Sequence, residues 1–544
     1  MLIETSEEVD IYKRVDELRL KAVQAYNINP EKCHVGHLML QGMYNNPEGI
    51  NQIDAATDKT ETNLSVAIRS SRLANAMSKC GLQTGDTVVL MGPNHLDLGI
   101  AFYACHYNGY SMCGIDTSVD SGDLAILCTY IKPRMVICQK SCEEKVKNAL
   151  VENNLNGHIV VFDDPNNDIE CFTQEHNGTE RDFRPAEFNH SEINAWLMLT
   201  SGTTGIPKVA TIPFDRLLNG ICCWWAPFPA PFQTVMAMAT LQWMSSLFYF
   251  ASGPIRGYTR VQSSVPLKPE LLIALINKYR PNVTAWTSFL LSQFITGAKN
   301  VWDLSCFKYI AIGGSAIDKP LLDKFRKQCN AFLYLVYGMT ELLVPVFDFD
   351  SETPFGSTGT PKKKYQFKII DEEGYVLDKP YQSGELWIKG DAFFTGYMNN
   401  PEETRETLTE DGWFKTGDIF YRDDRDYYYF VERKRLIIKH FGFMISPLQI
   451  EETIKRHPGI QEACVVSIPD YACGELPIAA IMKEDGHQVD SQEIFELLKD
   501  SLPEIKQLTG GLFFVDSMPE TPSGKIHRAK IKDMALTTPK IFPI

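Results

Sequence analysis

Residues 195–208 read Ala-Trp-Leu-Met-Leu-Thr-Ser-Gly-Thr-Thr-Gly-Ile-Pro-Lys, an apolar run that leads into a loop rich in hydroxyl groups and glycine. The apolar run predicts a buried strand. The loop offers two glycines for tight turns, four hydroxyl side chains and the ammonium group of Lys208, all of which suit a loop that wraps a polyphosphate. The spacing is not G-x-x-x-x-G-K-[ST], so the predicted phosphate loop is not of the Walker type.

On both sides of this loop the chain alternates apolar runs with helical patterns. Residues 87–91 (TVVLM), 135–138 (MVIC) and 158–162 (HIVVF) are continuous apolar stretches bounded by polar or turn residues. Such stretches are typical of strands that are covered on both faces. The alternation from about residue 60 to 390 predicts an α/β fold class with layers of helices and sheet.

The composition changes near residue 421, where a charged turn and an aromatic strand precede the four consecutive charges of 432–435. We interpret 433–435 as a hinge, with a solvated turn as the alternative. The fold prediction is therefore a large N-terminal layered α/β domain, residues 1–432, and a small mobile C-terminal α+β domain, residues 436–544.

Composition and charge exclude several classes of function. The net charge of −15 and pI near 5.3 argue against a nucleic-acid binder, which needs surplus Lys and Arg. The sequence shows no signal-peptide pattern and no apolar run of about 18 residues, so we expect no transmembrane segment. Fourteen cysteines without CxxC pairs predict reduced thiols. We expect a cytoplasmic monomer, with the peroxisome less favoured because the chain does not end in an S-K-L type signal.

Further motifs follow the loop in a fixed order. They are 312–316 (IGGSA), 337–341 (YGMTE), 384–387 (GELW), 396–397 (GY), 413–418 (WFKTGD), 432–434 (ERK) and 522–526 (PSGKI). Together with the loop, they resemble the adenylate-forming superfamily, which includes acyl-CoA synthetases, 4-coumarate–CoA ligases and beetle luciferases. Taken as a whole, the sequence most resembles insect luciferase-like acyl-CoA synthetases.

The resemblance implies a site for ATP and Mg²⁺. Glu341 is implied as the Mg²⁺ ligand, since its carboxylate is a hard oxygen ligand, and Thr340 as a donor to the α-phosphate. The acceptor-only carboxylate of Asp418 suits both ribose hydroxyls, and Tyr337 offers a flat face to adenine. The implied nucleotide-binding residues are Thr200, Ser201, Gly202, Thr203, Thr204, Gly205, Lys208, Gly314, Ser315, Tyr337, Gly338, Asp418 and Arg433.

The resemblance also implies two catalytic lysines beyond the hinge. Lys525 would reach the substrate carboxylate and α-phosphate and neutralise charge as pyrophosphate leaves. Lys439 would serve thioester formation after the small domain rotates, and Gly442 would let the thiol of coenzyme A approach the backbone. The implied function is an ATP-dependent acid–CoA ligase acting on a small-molecule carboxylic acid, with a medium- or long-chain fatty acid as the first candidate.

Trp243 departs from the pattern, because aryl-acid ligases and luciferases often carry His at this position. A bulky indole fits the wall or gate of an acyl tunnel, with simple core packing as the alternative. The candidate pocket residues are Trp243, Trp286, Phe289 and Leu290. Two other activities stay open, a luciferase-type monooxygenase acting through luciferyl-AMP and a 4-coumarate-type aryl–CoA ligase. A non-catalytic relative that binds nucleotide or acyl groups is the remaining alternative.

The two lysines generate opposite predictions. We expect Lys525→Ala to slow acyl-adenylate formation by about 10²–10³-fold while sparing thioester formation from supplied acyl-adenylate. Lys439→Ala should preserve ATP–pyrophosphate exchange and slow transfer to coenzyme A. Separate assays of the two half-reactions check both variants, and equal damage to both half-reactions by either variant would contradict the assignment.

Overall fold

The computed structural model describes residues 10–200, 208–229, 231–265, 269–287, 290–291, 303–314, 317, 319–391, 393–440, 443–470, 473–520 and 525–542. The chain divides into two compact units, Met1–Asp350 with Gly390–Leu408, and Ser351–Lys389 with Thr409–Ile544. The predicted hinge at 433–435 lies inside the second unit. The predicted bounds of the two domains, 1–432 and 436–544, stay a prediction.

The strands are β1 (Ile50–Asp54), β2 (Lys59–Thr62), β3 (Thr87–Met91), β4 (Ser111–Gly114), β5 (Met135–Cys138), β6 (His158–Val161), β7 (Asn194–Thr200), β8 (Lys208–Pro213), β9 (Thr234–Met236), β10 (Thr259–Gln262), β11 (Val283–Thr287), β12 (Tyr309–Gly313), β13 (Phe332–Val336), β14 (Phe347–Asp348), β15 (Ser357–Pro361), β16 (Gln366–Ile370), β17 (Gly384–Lys389), β18 (Phe414–Arg422), β19 (Tyr428–Arg433), β20 (Ile438–His440), β21 (Phe443–Ile445), β22 (Ile460–Asp470), β23 (Gly474–Lys483) and β24 (Leu512–Val515).

The α-helices of the described residues are Ile11–Tyr26, Val35–Asn45, Asn63–Lys79, Leu96–Asn108, Ser121–Ile131, Glu143–Glu152, Ile169–Thr173, Phe214–Trp225, Met244–Arg256, Pro269–Tyr279, Lys319–Arg326, Pro401–Thr407, Pro447–Ile454, Ser491–Ser501 and Arg528–Thr537. Within the described ranges, no helix is both long and apolar enough to cross a membrane. All fourteen cysteines are free thiols in this structure.

The first unit contains two sheets that are parallel except at one edge of each. Their strand orders are β6-β5-β3-β4-β7-β8 and β13-β12-β11-β9-β10-β1-β2. The antiparallel pairs are β7 with β8 and β1 with β2. The three apolar runs around the loop form β3, β5 and β6 of the first sheet, which confirms the predicted α/β layering.

The helix Leu96–Asn108 is packed between the two sheets of the first unit and is buried along almost its whole length. All but one of its side chains, that of Asp97, are classed as buried, and the helix contacts β3 and β4 of one sheet and β1 of the other. A helix covered on every side needs no polar face. It ends at Gly109, whose φ of 70° is a left-handed conformation that glycine adopts without strain.

The second unit contains an antiparallel sheet with the run β15-β19-β18-β17-β16 and a C-terminal sheet with the run β21-β20-β23-β22. In the C-terminal sheet β24 pairs in parallel with β23. One face of the C-terminal sheet packs on Pro447–Ile454 and Ser491–Ser501, and the other face packs on Arg528–Thr537. Helices on both faces of a mainly antiparallel sheet confirm the predicted α+β character of this segment.

The buried histidine His106 lies beside the strand that leads to the predicted phosphate loop. His37 and His106 are 0% exposed. The Nε1–H of Trp196 on β7 donates to His106 Nε2 at 2.8 Å, and His106 Nδ1 lies 2.7 Å from the carbonyl oxygen of Phe102. This pattern fits a neutral ring with its proton on Nδ1. Burial lowers the pKa of both histidines to about 4.

We expect His37 to make the protein sensitive to acid. Its folded pKa is about 4 against an ordinary 6.5, so the unfolded chain takes up the proton first and stability falls as the pH drops from about 6.5 to 4. The loss at pH 5 is about 2 kcal/mol for one such group. His37→Asn keeps an acceptor for the His34 N–H, which lies 3.3 Å from His37 Nδ1, and removes the titration.

Urea unfolding at about pH 7.5 and about pH 5 measures this effect. The loss of stability at the lower pH should be smaller in His37→Asn than in the wild type. The matched control is His158→Asn, because His158 is exposed. An identical loss in the wild type and His37→Asn would contradict the prediction.

Candidate functional site

The candidate nucleotide site lies at the carboxyl edge of the seven-stranded sheet. β12 and β13 are adjacent and parallel, with Gly313 opposite Val336. Gly314 follows β12, and Tyr337 and Gly338 follow β13, so the structure brings these predicted residues together. Ligands of open α/β sheets bind outside the carboxyl ends of their strands.

Glycine is required at the end of β12. A Cβ at Gly313 would lie 2.9 Å from the Val336 carbonyl oxygen, and Gly314 has a φ of +92°. The backbone of this edge is therefore open to close approach by a flat ligand. Ser315, the next predicted residue, lies outside the described residues.

The predicted phosphate loop connects two strands of an antiparallel hairpin. Thr200 ends β7, Lys208 begins β8, and the two residues lie opposite each other. The strand predicted from 195–198 is confirmed. The loop residues between them lie outside the described residues, and the predicted ones among these are Ser201, Gly202, Thr203, Thr204 and Gly205.

Glu341 lies in the short turn Thr340–Leu342 that follows Tyr337. Its side chain is 6% exposed, and the Tyr397 hydroxyl donates to Glu341 Oε1 at 2.7 Å. Lys208 Nζ lies 5.2 Å from the centroid of the Tyr397 ring and forms an ion pair with Glu403. Tyr397 thus joins the cation at the end of the phosphate loop to the carboxylate predicted to hold Mg²⁺.

Sequence reasoning placed Gly396 and Tyr397 in a family motif but gave Tyr397 no role. Burial is the largest cause that raises the pKa of the Tyr397 hydroxyl, and the charge of Glu341 raises it further. The hydroxyl therefore keeps its proton and acts as a donor. The only sequence signal was the Gly-Tyr pair itself, because 56 residues separate Tyr397 from Glu341.

The second unit holds the predicted ribose contact. Asp418 on β18 lies opposite Arg433 on β19, and Arg433 Nε lies 3.5 Å from Asp418 Oδ1. The side chain of Asp418 is 4% exposed and that of Arg433 is 37% exposed. The structure thus brings these two predicted residues together.

The residues predicted for the two half-reactions also belong to the second unit. Lys525 is exposed and directly precedes Ile526, which forms a bridge with Glu520. Lys439 is the middle residue of β20 and lies opposite Met444. The side chain of Lys439 and the whole of Gly442 lie outside the described residues.

Trp243 precedes the helix Met244–Arg256 and is 40% exposed. This exposure argues against the alternative that it is simple core packing. Gln242, its neighbour, donates to Asp116 Oδ2 at 3.1 Å. Trp286, another apolar candidate for the acyl pocket, is 3% exposed and packs in the core of the sheet.

Comparisons with known proteins identify the family of the chain. The family model described as AMP-binding enzyme matches residues 47–398, and the model described as AMP-binding enzyme C-terminal domain matches residues 449–525. The chain therefore belongs to the AMP-binding enzymes, the adenylate-forming superfamily that its motifs resemble. Its enzyme class is the predicted one, an AMP-forming acid–thiol ligase.

Individual relatives differ in activity. The chain is 29% identical to 4-coumarate–CoA ligase 1 of Petroselinum crispum over 497 residues, covering 88% of this chain and 90% of the relative. It is 28% identical to luciferin 4-monooxygenase of Photuris pensylvanica, covering 86% and 88%. The structure of ATP-bound MatB from Rhodopseudomonas palustris has a TM-score of 0.82 at 19% identity, covering 92% of this chain and 99% of that one, and it shows the fold alone.

We expect Glu403 to compete with ATP for Lys208. Because Lys208 is predicted to bind the nucleotide phosphates, these would have to displace the Glu403 carboxylate from its ammonium group. A partly exposed ion pair of this kind is worth about 0–1 kcal/mol. Glu403→Gln should therefore tighten ATP binding by up to about fivefold, an effect that shrinks at high salt. Calorimetric titration at two salt concentrations measures this change, and weaker binding in Glu403→Gln would show that Glu403 orients Lys208 for the phosphates.

Proposed function

We propose that this protein activates a carboxylic acid with ATP and Mg²⁺ and transfers the acyl group to coenzyme A. The observation that carries the proposal is the link from Lys208 through Tyr397 to Glu341. It supports a site with a cation for phosphates and a buried carboxylate for a metal ion. Both are needed to bind metal–ATP.

The residues present fit Mg²⁺. This ion is usually held by one or two carboxylates together with substrate phosphates, and Glu341 supplies a buried carboxylate that accepts from a neutral hydroxyl. Bound Mg²⁺ would neutralise phosphate charge in the first half-reaction. Asp418 and Arg433 are proposed to hold the ribose of the nucleotide, with Tyr337 and Gly314 proposed beside the adenine.

In the first half-reaction, a carboxylate oxygen of the acid attacks the α-phosphorus of ATP. The bond from that phosphorus to the bridging oxygen breaks, and pyrophosphate leaves with its electron pair. Lys525 is proposed to stabilise the charge that develops at the α-phosphate. Lys208 is proposed to bind the departing phosphates.

In the second half-reaction, the thiol sulfur of coenzyme A attacks the acyl carbonyl carbon. The bond from this carbon to the AMP oxygen breaks, AMP leaves, and the thiol gives up its proton. Lys439 and Gly442 are proposed to serve this step. The hinge at 433–435 is proposed to exchange the two lysines, which would also keep water from the reactive anhydride.

The acid is proposed to have an apolar tail. β12 and β13, whose ends carry Gly314 and Tyr337, also line an apolar crevice. The crevice has about 150 Å³ of empty space, part of which is open solvent, and it is too narrow for a water molecule, so a tail enters only if side chains turn aside. Its lining residues are Trp224, Phe228, Ala311, Tyr334, Val336 and Pro345.

A medium- or long-chain fatty acid is the first candidate because Trp243 replaces a polar ring with an indole. An aryl acid of the 4-coumarate type is the second, favoured by the Petroselinum crispum relative. ATP–pyrophosphate exchange with a panel of fatty, aryl and luciferin-type acids tests the proposal, with product detection after coenzyme A is added and with light as a further readout. ATP binding without exchange for any acid would instead indicate a non-catalytic relative.

We expect Trp243 to set which acids enter. Trp243→Ala and Trp243→His should change the ranking of kcat/KM across fatty acids of increasing length and one cinnamate-type acid. One methylene in an apolar pocket is worth about 1–3 kcal/mol of discrimination. Tyr375→Ala, at a residue that is 72% exposed, is the control. An unchanged ranking in folded Trp243 variants would leave Trp243 with no role in selectivity.

A further inference from the structure

Two functional motifs far apart in the chain meet at one side chain. Tyr397 is 9% exposed, and its hydroxyl donates to the Glu341 carboxylate. The face of the same ring carries the Lys208 ammonium group. A hydrogen bond to an ionised carboxylate is stronger than one between neutral groups, and an ammonium group is attracted to the face of a tyrosine ring.

We propose that Tyr397 is a positioning residue. Its hydroxyl orients the Glu341 carboxylate for the metal–ATP complex, and its ring holds the Lys208 ammonium group near that carboxylate. The inference rests on the proposed function, because it takes Glu341 to be the group that meets Mg²⁺. It adds a residue that acts through Glu341 and Lys208 and does not itself touch the nucleotide.

The backbone around Tyr397 is held on both sides. Thr211 N donates to the Gly396 carbonyl oxygen at 3.0 Å, and Met398 N donates to that of Val209 at 2.8 Å. The segment 395–398 thus pairs with β8, the strand that begins at Lys208. A hydroxyl carried on a paired backbone segment is already in place when the metal arrives.

A second set of contacts fixes the angle of the tyrosine. Tyr397 N donates to Thr404 Oγ1 at 2.9 Å, and Gly396 has a φ of 146° with room for no Cβ, because a Cβ would lie 2.8 Å from Thr404 Cγ2. Phe394 N donates to the Glu341 carbonyl oxygen at 2.9 Å, which ties the Glu341 turn to the same segment. Both the donor and its acceptor are therefore fixed by one stretch of chain.

A Mg²⁺ ion would require the Glu341 carboxylate to be held in one orientation. Mg²⁺ demands near-ideal octahedral geometry and tolerates little movement of its ligands. Partners that orient a metal ligand typically change metal affinity by about 10–100-fold when removed. Lys208 contacts the ring of Tyr397, whereas Glu341 accepts from its hydroxyl. A substitution that removes only the hydroxyl therefore separates the role toward Glu341 from the role toward Lys208.

The experiment measures ATP binding by calorimetry, once with Mg²⁺ and once with a chelator. Tyr397→Phe keeps the ring under Lys208 and removes the donor to Glu341. We expect it to weaken binding of ATP with Mg²⁺ by roughly ten- to a hundredfold and to leave metal-free binding unchanged. Tyr397→Leu also removes the ring, so metal-free binding should fall as well.

Three further variants make the result specific. Tyr258→Phe is the matched control, because its buried hydroxyl donates to the Tyr249 carbonyl oxygen at 2.8 Å. Thr404→Val leaves the tyrosine intact and removes the acceptor for its N–H, so it should lower metal-dependent binding in the same direction. In a Glu341→Gln background, Tyr397→Phe should have no further effect, because the two residues act as one unit.

The outcomes separate the inference from the function beneath it. The positioning role would be wrong if Tyr397→Phe weakened ATP binding equally with and without Mg²⁺. It would also be wrong if the variant bound ATP with Mg²⁺ as tightly as the wild type does. Either result leaves the proposed ligase standing if pyrophosphate exchange persists. A wild-type protein that binds ATP equally with and without Mg²⁺ would overturn both the inference and the metal assignment. If Tyr397→Phe fails to fold, the same ATP-binding measurements are made on Thr404→Val, Glu341→Gln and the double variant. Weaker binding only with Mg²⁺ in Thr404→Val, and no further loss in the double variant, would support the positioning role.

Discussion

The first unit depends on the pairing of residues 395–398 with β8. This pairing places the chain that carries Tyr397 next to the strand that begins at Lys208. The same segment receives the Glu341 turn through the Phe394 N–H. The pairing thereby brings Lys208, at the start of β8, and Glu341, in the turn after β13, into contact with the same tyrosine. Without the pairing, each motif would keep its local structure but would lack its partner.

Burial gives this arrangement its chemical character. The Tyr397 hydroxyl and the Glu341 carboxylate are both buried, and their hydrogen bond is strong because the acceptor is charged and little water competes for it. Burial also raises the pKa of the tyrosine, so the hydroxyl remains a donor. Lys208, by contrast, lies in a partly exposed ion pair with Glu403. A partly exposed ion pair of this kind contributes little free energy.

The two sheets of the first unit show why the fold is readable from sequence. Parallel strands covered on both faces must be apolar along their length, and the runs at 87–91 and 135–138 fulfil this requirement. The strand that leads into the predicted phosphate loop was equally visible, because residues 195–198 form an apolar run. Local patterns of this kind depend on neighbours in sequence, and they survive without knowledge of the rest of the chain.

The sequence by itself determined the α/β class, the motifs of the adenylate-forming family and the identity of the candidate residues Lys208, Glu341 and Asp418. Only the tertiary structure decided that Tyr397 contacts two of these residues, that Arg433 faces Asp418 across a strand pair, and that Glu403 pairs with Lys208. Such contacts join residues far apart in the chain, and no periodicity or local propensity encodes them. They arise because strands from distant segments pair in a register that is set by the buried faces of the whole sheet.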